Sequence, residues 1–258
     1  MPGKVRTLAI LIVVSAVPVL AEKFWESKDF TAWTEKECME ILRKSPWAFS
    51  NTFGRKQSVM LTAQTGVEIL DPSTPRGQAA TGSQPTWGEA ERNEVIEFQI
   101  LSAKPVRMAL ARLQMIRRPD DAALKEQAAK FVNQQFEKQV VIQISYRSTP
   151  PGSQAVSDIH TFFLNATLSD FRTDTRLITD KNRHVPIEEY WRPGPNRSNA
   201  AFVFPRFDDR GEPNFTGNDK SITLRSKFAP KIRDKAQPFD IFVKMNPKEM
   251  HFRKEFAF

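Results

Sequence analysis

Residues 94–116, EVIEFQILSAKPVRMALARLQMI, join a strand pattern directly to a helix pattern. In the first part apolar and polar side chains alternate from Ile96 to Ile100, which is the period of a half-buried strand. In the second part apolar side chains recur every three or four residues, which is the period of one helix face. The stretch therefore predicts a strand over 94–102, a helix over 104–117, and a fold that mixes the two.

Two more helices are predicted on either side of this stretch. Thr34 and Glu37 have the spacing of a capping box, in which each side chain bonds a free backbone N–H at a helix start. A helix over 34–44 follows, and its apolar stripe includes Cys38, which we expect to be a buried small hydrophobe. The third helix is predicted over 120–136, after a break at Arg117-Arg118-Pro119.

Most of the remaining chain has the pattern of short strands separated by turns rich in proline, glycine and asparagine. The pattern predicts an α+β fold, namely an antiparallel β-sandwich-like core built largely from residue 138 onward, with a few N-terminal or inserted helices. The expected strands cover 58–63, 94–102, 140–146, 159–166, 176–179, 184–187, 200–206, 221–226, 239–244 and 251–258.

Residues 71–93, DPSTPRGQAATGSQPTWGEAERN, have the composition of a flexible loop. Trp87 is the one large apolar side chain in this segment. It either anchors a partner or folds back to cover the protein, and the sequence leaves both interpretations open.

The first 21 residues have the pattern of a secretory signal peptide. Lys4 and Arg6 precede an apolar run, and Val19-Leu20-Ala21 places short side chains at a cleavage site. We expect cleavage after Ala21 and a periplasmic or secreted mature protein. The alternative is an uncleaved anchor, although the apolar run is short for a bilayer span.

Composition indicates one exported α+β domain over residues 22–258. The chain has a net charge of +8, which falls to +6 when the two basic residues of the signal segment are removed. A basic protein of this kind is attracted to the anionic lipids and polysaccharides of a cell envelope. The expected partners are another envelope protein or a polysaccharide. We expect no nucleic acid partner, because no long basic cluster occurs, and no stable membrane span after cleavage.

A single cysteine excludes an intramolecular disulfide and favours a bacterial exported protein.

Three segments resemble a group of exported bacterial proteins with no assigned activity. They are the helix ending in Ser45-Pro46-Trp47, the run A-x-P-V-R-x-A-L-A-R from Ala103 to Arg112, and the terminal strand Met250–Phe258. The resemblance spans most of the mature chain. It implies a single exported bacterial unit and carries no catalytic residue across.

Asp158 and His160 are the candidate catalytic residues. If the strand predicted over 159–166 begins one residue earlier, their spacing of two places both side chains on one face of it. Such a pair can orient an imidazole as a general base, or bind a metal with a third ligand. No nucleophile motif accompanies the pair, so an ordinary polar pair is the alternative.

The segment Asp208–Asp219 is rich in oxygen ligands. Asp208, Asp209 and Asp219 are candidate calcium ligands, because calcium binds several oxygen atoms on a flexible loop. Their spacing does not match an EF-hand, and a polar hairpin loop explains the same residues.

These observations favour an exported cell-envelope module for binding, interaction or structure that has no catalytic activity and no cofactor. Two alternatives stay open. One is a hydrolase or metal-dependent enzyme that uses Asp158 and His160. The other is an outer-membrane-associated β protein, because Phe252, Phe256 and Phe258 end the chain on an apparent alternating strand.

Overall fold

The computed structural model describes residues 23–62, 66–68, 86–149, 154–195, 198–232 and 234–258. The predicted signal peptide, residues 1–21, lies outside these ranges. The α-helices of the described part are α1 (Phe24–Ser27), α2 (Glu35–Lys44), α3 (Lys104–Arg117), α4 (Ala122–Val132), α5 (Gln154–Asn165) and α6 (Ser169–Arg172). Two short 3-10 helices cover Phe30–Ala32 and Pro247–Glu249.

The strands are distributed along the whole described chain. They are β1 (Ala48–Thr62), β2 (Gly66–Glu68), β3 (Thr86–Ile100), β4 (Gln139–Thr149), β5 (Arg176–Thr179), β6 (His184–Pro186), β7 (Glu189–Trp191), β8 (Ala200–Pro205), β9 (Ile222–Phe228), β10 (Lys231–Ile232), β11 (Lys235–Ala236), β12 (Phe239–Met245), β13 (His251–Phe252) and β14 (Glu255–Phe256).

Two antiparallel sheets form the framework. The larger has six strands in the order β2-β1-β3-β4-β8-β7, and the smaller has four in the order β12-β9-β5-β6. Two short ribbons pair β10 with β11 and β13 with β14. The predicted α+β fold with an antiparallel, sheet-rich core is confirmed. Half of the six-stranded sheet, however, comes from strands before residue 138.

The longest pairing in the molecule joins β1 to β3. It runs in antiparallel register from Ala48 opposite Gln99 to Leu61 opposite Thr86. The strand predicted over 58–63 therefore starts ten residues too late. The loop predicted over 71–93 is wrong over residues 86–93, which belong to β3. The rest of that loop and the side chain of Trp87 lie outside the described residues.

Helix α2 begins as the capping box predicts. The Thr34 side chain accepts a bond from the Glu37 backbone N–H at 3.3 Å, and the Glu37 carboxylate accepts one from the Thr34 N–H at 2.7 Å. A hydrogen bond from the Lys28 ammonium, together with the Thr34 N–H, lowers the pKa of Glu37 to about 2. Cys38 is fully buried, as expected, and burial raises the pKa of its thiol to about 11.

Helix α3 has the predicted bounds, and α4 is shorter than predicted. The Asp121 carboxylate caps α4 by accepting a bond from the Leu124 N–H at 2.9 Å. The helix ends at Val132 rather than 136. The four residues after it leave the helix axis and form one wall of a cavity described below.

The strand predicted over 159–166 is wrong, because this segment is most of helix α5. Ala155, Ile159 and Phe163 are buried and spaced by four, so they share one helix face that packs on the core. A short apolar run fits either a buried strand or a helix, and the period of the residues before it is needed to distinguish them.

The strand predicted over 251–258 is also wrong, because the segment folds back as the β13–β14 ribbon. Arg253 and Lys254 have φ angles of 51° and 69°, so both lie in the left-handed region. Two such residues between paired strands form a tight turn. His251 consequently pairs with Phe256 across the ribbon.

A cluster of aromatic side chains lies where the two sheets and α5–α6 meet. Its centre is Phe171 of α6, whose ring lies 4.7 Å from that of Tyr190 and 4.9 Å from that of Phe202. The rings of Phe162, Phe163 and Phe228 lie within 6.3 Å of Phe171. We call these six residues the aromatic cluster. It connects α5, α6, β7, β8 and β9, so both sheets share one core.

Candidate functional site

A cavity of about 490 Å³ opens between the start of α3, the segment after α4, and the end of the chain from Phe252 to Phe258. This volume lies in the usual range of small-molecule sites, roughly 300–1,000 Å³. We call it the arginine cavity, because Arg107 and Arg206 both line it.

Arg107 lies in the first turns of α3 and is 5% exposed. Its Nη1 donates to the carbonyl oxygens of Leu101 at 2.9 Å and Ser102 at 2.5 Å, and its Nε donates to that of Val132 at 3.4 Å. The guanidinium also lies 5.0 Å from the centre of the Phe136 ring. The Arg107 guanidinium thus contacts the residues that follow β3, the last residue of α4 and the segment after α4.

Arg206 follows β8 on the opposite wall. Its Nε donates to the carbonyl oxygen of Phe136 at 3.3 Å, and its Nη2 donates to that of Gln139 at 3.3 Å. The same Nη2 also donates to the main-chain oxygen of Phe258. Arg206 therefore fixes the last residues of the chain against the segment between α4 and β4.

Neither guanidinium has an Asp or Glu carboxylate within ion-pair distance among the described residues. Their bonds go to main-chain oxygen atoms, which orient the two guanidinium groups. Burial lowers the pKa of Arg107 to about 10 and also lowers the pKa of Arg206. These shifts reflect the cost of holding a cation away from water.

The arginine cavity has a mixed wall. Lys104, at the exposed start of α3, adds a third cation. Glu137 and Glu255 line the rim and are exposed. Apolar walls come from Val132, Phe136, Phe252, Phe256 and Phe258. The arrangement suits an organic molecule with an anionic group at one end and an apolar body.

The cavity wall formed by residues 252–258 is stabilised by a hydrogen bond from Trp47. Trp47, just before β1, is fully buried, and its Nε1 donates to the carbonyl oxygen of Ala257 at 2.6 Å. The Ala257 N–H in turn donates to the carbonyl oxygen of Met250 at 2.8 Å. The cavity thus depends on a contact between residues that are 210 positions apart in the sequence.

The structure does not bring Asp158 and His160 onto one face. Both lie on α5, where a spacing of two turns the side chains about 200° apart. His160 Nδ1 is hydrogen-bonded to the Tyr146 hydroxyl, and Asp158 Oδ1 accepts a bond from the Gln154 amide at 3.1 Å. Burial raises the pKa of Tyr146 to about 12. Neither Asp158 nor His160 lines the arginine cavity.

The candidate calcium ligands belong to two separate turns. Asp208 Oδ1 accepts bonds from the N–H groups of Arg210 and Glu212, and these N–H bonds lower its pKa. Asp219 Oδ2 accepts a bond from the Thr216 N–H at 2.7 Å, and its Oδ1 lies 3.3 Å from Lys181 Nζ. Asp209 is exposed. Within the described ranges no three His, Cys, Asp or Glu side chains are placed to hold a metal.

Sequence reasoning missed Arg107 and Arg206 as site residues. Arg107 did carry a signal, because it is spaced by four from Ala103 and Ala111 on a helix face that the structure shows to be buried. A cation on a buried face needs either a carboxylate or a special environment. No comparable signal marks Arg206, whose position depends on how β8 meets the chain end.

Comparisons with protein-family models, curated proteins and solved structures give no match. Over the described residues, no helix is long and apolar enough to cross a membrane.

Proposed function

We propose that this chain is an exported cell-envelope binding module without catalytic activity, and that the arginine cavity binds an organic anion. The observation that carries the proposal is the convergence of Arg107 and Arg206 on one cavity with no Asp or Glu partner among the described residues. A bound carboxylate or phosphate would place an acidic group beside these two arginines.

The geometry favours an anion with an apolar body over a free inorganic ion. The guanidinium groups are pre-oriented by main-chain carbonyl oxygens, so little side-chain freedom is lost when a ligand binds. Charge-assisted bonds from arginine to an oxyanion are stronger than bonds between neutral groups. Phe136 and the phenylalanines of the chain end then cover the rest of the ligand.

Two observations support binding rather than hydrolysis. The Ser102 hydroxyl, at the cavity wall, accepts a bond from the Val141 N–H at 3.2 Å and so has a structural partner. Asp158 and His160 point in different directions from α5 and lie away from the cavity. The hydrolase alternative therefore gains no geometric support from this pair.

Export is part of the proposal and rests on residues 1–21 and on the resemblance to exported bacterial proteins. We expect the full chain, expressed in a bacterium, to reach the periplasm or medium with Glu22 as its first residue. Mass spectrometry of the intact protein measures this. Leu11→Arg, which interrupts the apolar run, is the control and should keep the protein in the cytoplasm. Full-length wild-type protein in the cytoplasm, or released only by detergent, would contradict export.

Ligand binding is tested with phenylbutyrate and its uncharged analogue phenylbutanamide, which share the same apolar body. We expect calorimetry to show binding of the acid and at least about tenfold weaker binding of the amide, because the amide brings no counter-charge. Lys104→Gln should weaken binding of the acid by about two- to fivefold. Lys125→Gln, on the exposed side of α4, removes the same charge away from the cavity and should change nothing.

Equal affinity for the acid and the amide, or no binding of either, would overturn the proposed site. An unchanged affinity in Lys104→Gln would do the same. Both lysines are exposed, so neither variant is expected to disturb folding.

A further inference from the structure

The four-stranded sheet has one buried face and one open, basic face. Along β9 and β12 buried and exposed residues alternate strictly. The buried set packs on the shared core. The opposite set, which we call the basic face, consists of Arg176, Ile178, His184, Pro186, Thr223, Arg225, Lys227, Asp240, Phe242 and Lys244.

Two arginines stand directly opposite each other on this face. Arg176 of β5 pairs in register with Arg225 of β9. The Arg176 side chain donates to the carbonyl oxygen of Thr173 at 2.6 Å, whereas the Arg225 side chain makes no hydrogen bond or ion pair with the described residues. Like charges directly opposite on adjacent strands destabilise a sheet. The unliganded face therefore contains a repulsion that an anion between the two side chains would relieve.

A shallow cavity of about 150 Å³ lies at this arginine pair. Its wall also includes His184 and Lys227, and Asp174 is the acidic residue there. Lys227 lies 3.4 Å from Asp240, so one acid of the basic face is already paired. The balance of charge at the cavity remains positive.

Phe242 lies in the same cross-strand row as the two arginines. It pairs with Arg225 across the β12–β9 ladder, and 61% of its surface is exposed, the largest value among the large hydrophobic side chains described. Strands lie about 4.8 Å apart, so Phe242 and Arg176 flank Arg225 over a row roughly 10 Å wide. Lys244 stands on the same face, two residues farther along β12.

We propose that the basic face binds an acidic polysaccharide. The Arg176–Arg225 pair takes a carboxylate of a sugar acid, and the Phe242 ring stacks on the C–H face of a neighbouring sugar, since the face of an aromatic ring is electronegative. The inference rests on the proposed function for its compartment, which favours an envelope polymer over a nucleic acid. A lipid surface is disfavoured, because among the described residues Phe242 is the one exposed large hydrophobic side chain of this face.

Polygalacturonate is the probe, and neutral dextran is its uncharged counterpart. We expect affinity electrophoresis to show retardation by polygalacturonate and none by dextran. The double variant Arg176→Gln/Arg225→Gln should bind polygalacturonate at least about tenfold more weakly, and Phe242→Ser about fivefold more weakly. Arg117→Gln/Arg118→Gln removes the same charge at the exposed end of α3 and should bind as the wild type does.

A second measurement separates binding from folding. Since the two arginines repel each other, Arg225→Gln should melt at or above the wild-type temperature while it loses affinity. If the double variant is unstable, this single variant still tests the proposal, because the Arg225 side chain makes no described bond that the substitution would break.

Equal affinity of Arg225→Gln and wild type for polygalacturonate would overturn the proposal. So would equal loss in the Arg117/Arg118 control, which would indicate general charge attraction. Binding to vesicles of phosphatidylglycerol or to an oligothymidylate, with none to polygalacturonate, would also reject it. Phenylbutyrate reports on the arginine cavity and polygalacturonate on the basic face, so either proposal can fail alone.

Discussion

Replacing Phe171 by alanine is expected to lower the free energy of unfolding by about 4 kcal/mol. Phe171 is fully buried at the centre of the aromatic cluster, and its ring contacts residues from α5, β7, β8 and β9. The two sheets cannot close over the lost ring without moving α6, so a cavity remains. Both the lost burial and that cavity contribute to the cost.

Thermal unfolding followed by circular dichroism measures the effect. For a chain of this size about 4 kcal/mol corresponds to a fall in melting temperature of roughly 8–16 °C. Phe171→Leu keeps most of the apolar volume and should cost about 1–2 kcal/mol. Phe242→Ala is the matched control, because it removes the same ring from an exposed site and should change stability by less than about 0.5 kcal/mol. Similar melting temperatures for Phe171→Ala and Phe242→Ala would contradict the cluster's role in joining the sheets.

Replacing Trp47 by alanine is expected to cost a similar amount, about 4 kcal/mol, and also to disturb the arginine cavity. Trp47 is fully buried, its ring lies 6.0 Å from that of Trp25, and its Nε1 bonds the Ala257 carbonyl oxygen. Losing the indole removes the contact that holds the chain end as a cavity wall. Phenylbutyrate binding should therefore weaken together with stability.

Trp47→Phe separates packing from hydrogen bonding. It keeps most of the apolar surface but leaves the Ala257 carbonyl oxygen without its donor, which should cost about 1–3 kcal/mol. Hydrogen exchange at the Ala257 N–H, which bonds the Met250 carbonyl oxygen, should become faster than in the wild type. Unchanged exchange in Trp47→Phe would show that the indole bond does not hold this segment.

Local chemistry explains the features that the sequence predicted well. Helix α2 has its capping residues, its apolar stripe and its stop within about a dozen residues, so each signal acts between near neighbours. Helix α3 has Pro105 in its first turn and a break at Arg118-Pro119, and its bounds were predicted correctly. The strands predicted over 221–226 and 239–244 likewise agree with β9 and β12 to within two residues at each end.

Helix α5 shows where the same reasoning fails. Its apolar residues after Ile159 are dense enough to fit a strand, and the choice of helix depends on the surface it covers. Asp158 and His160 were predicted to share one face of a strand, and on the observed helix they do not. The first residues of β1 and of β3 were not predicted as strand. They pair through backbone hydrogen bonds, which do not require the alternation of apolar and polar side chains that the prediction relied on.

The sequence by itself determined the α+β class and the starts and stops of α2 and α3, because these depend on contacts within a few residues. Only the tertiary structure decided that Arg107 and Arg206 meet at one cavity and that Arg176 stands opposite Arg225. Those pairs are separated by 99 and 49 positions in the numbering. Their meeting follows from strand order and register, which are set by the packing of the whole core rather than by any local pattern.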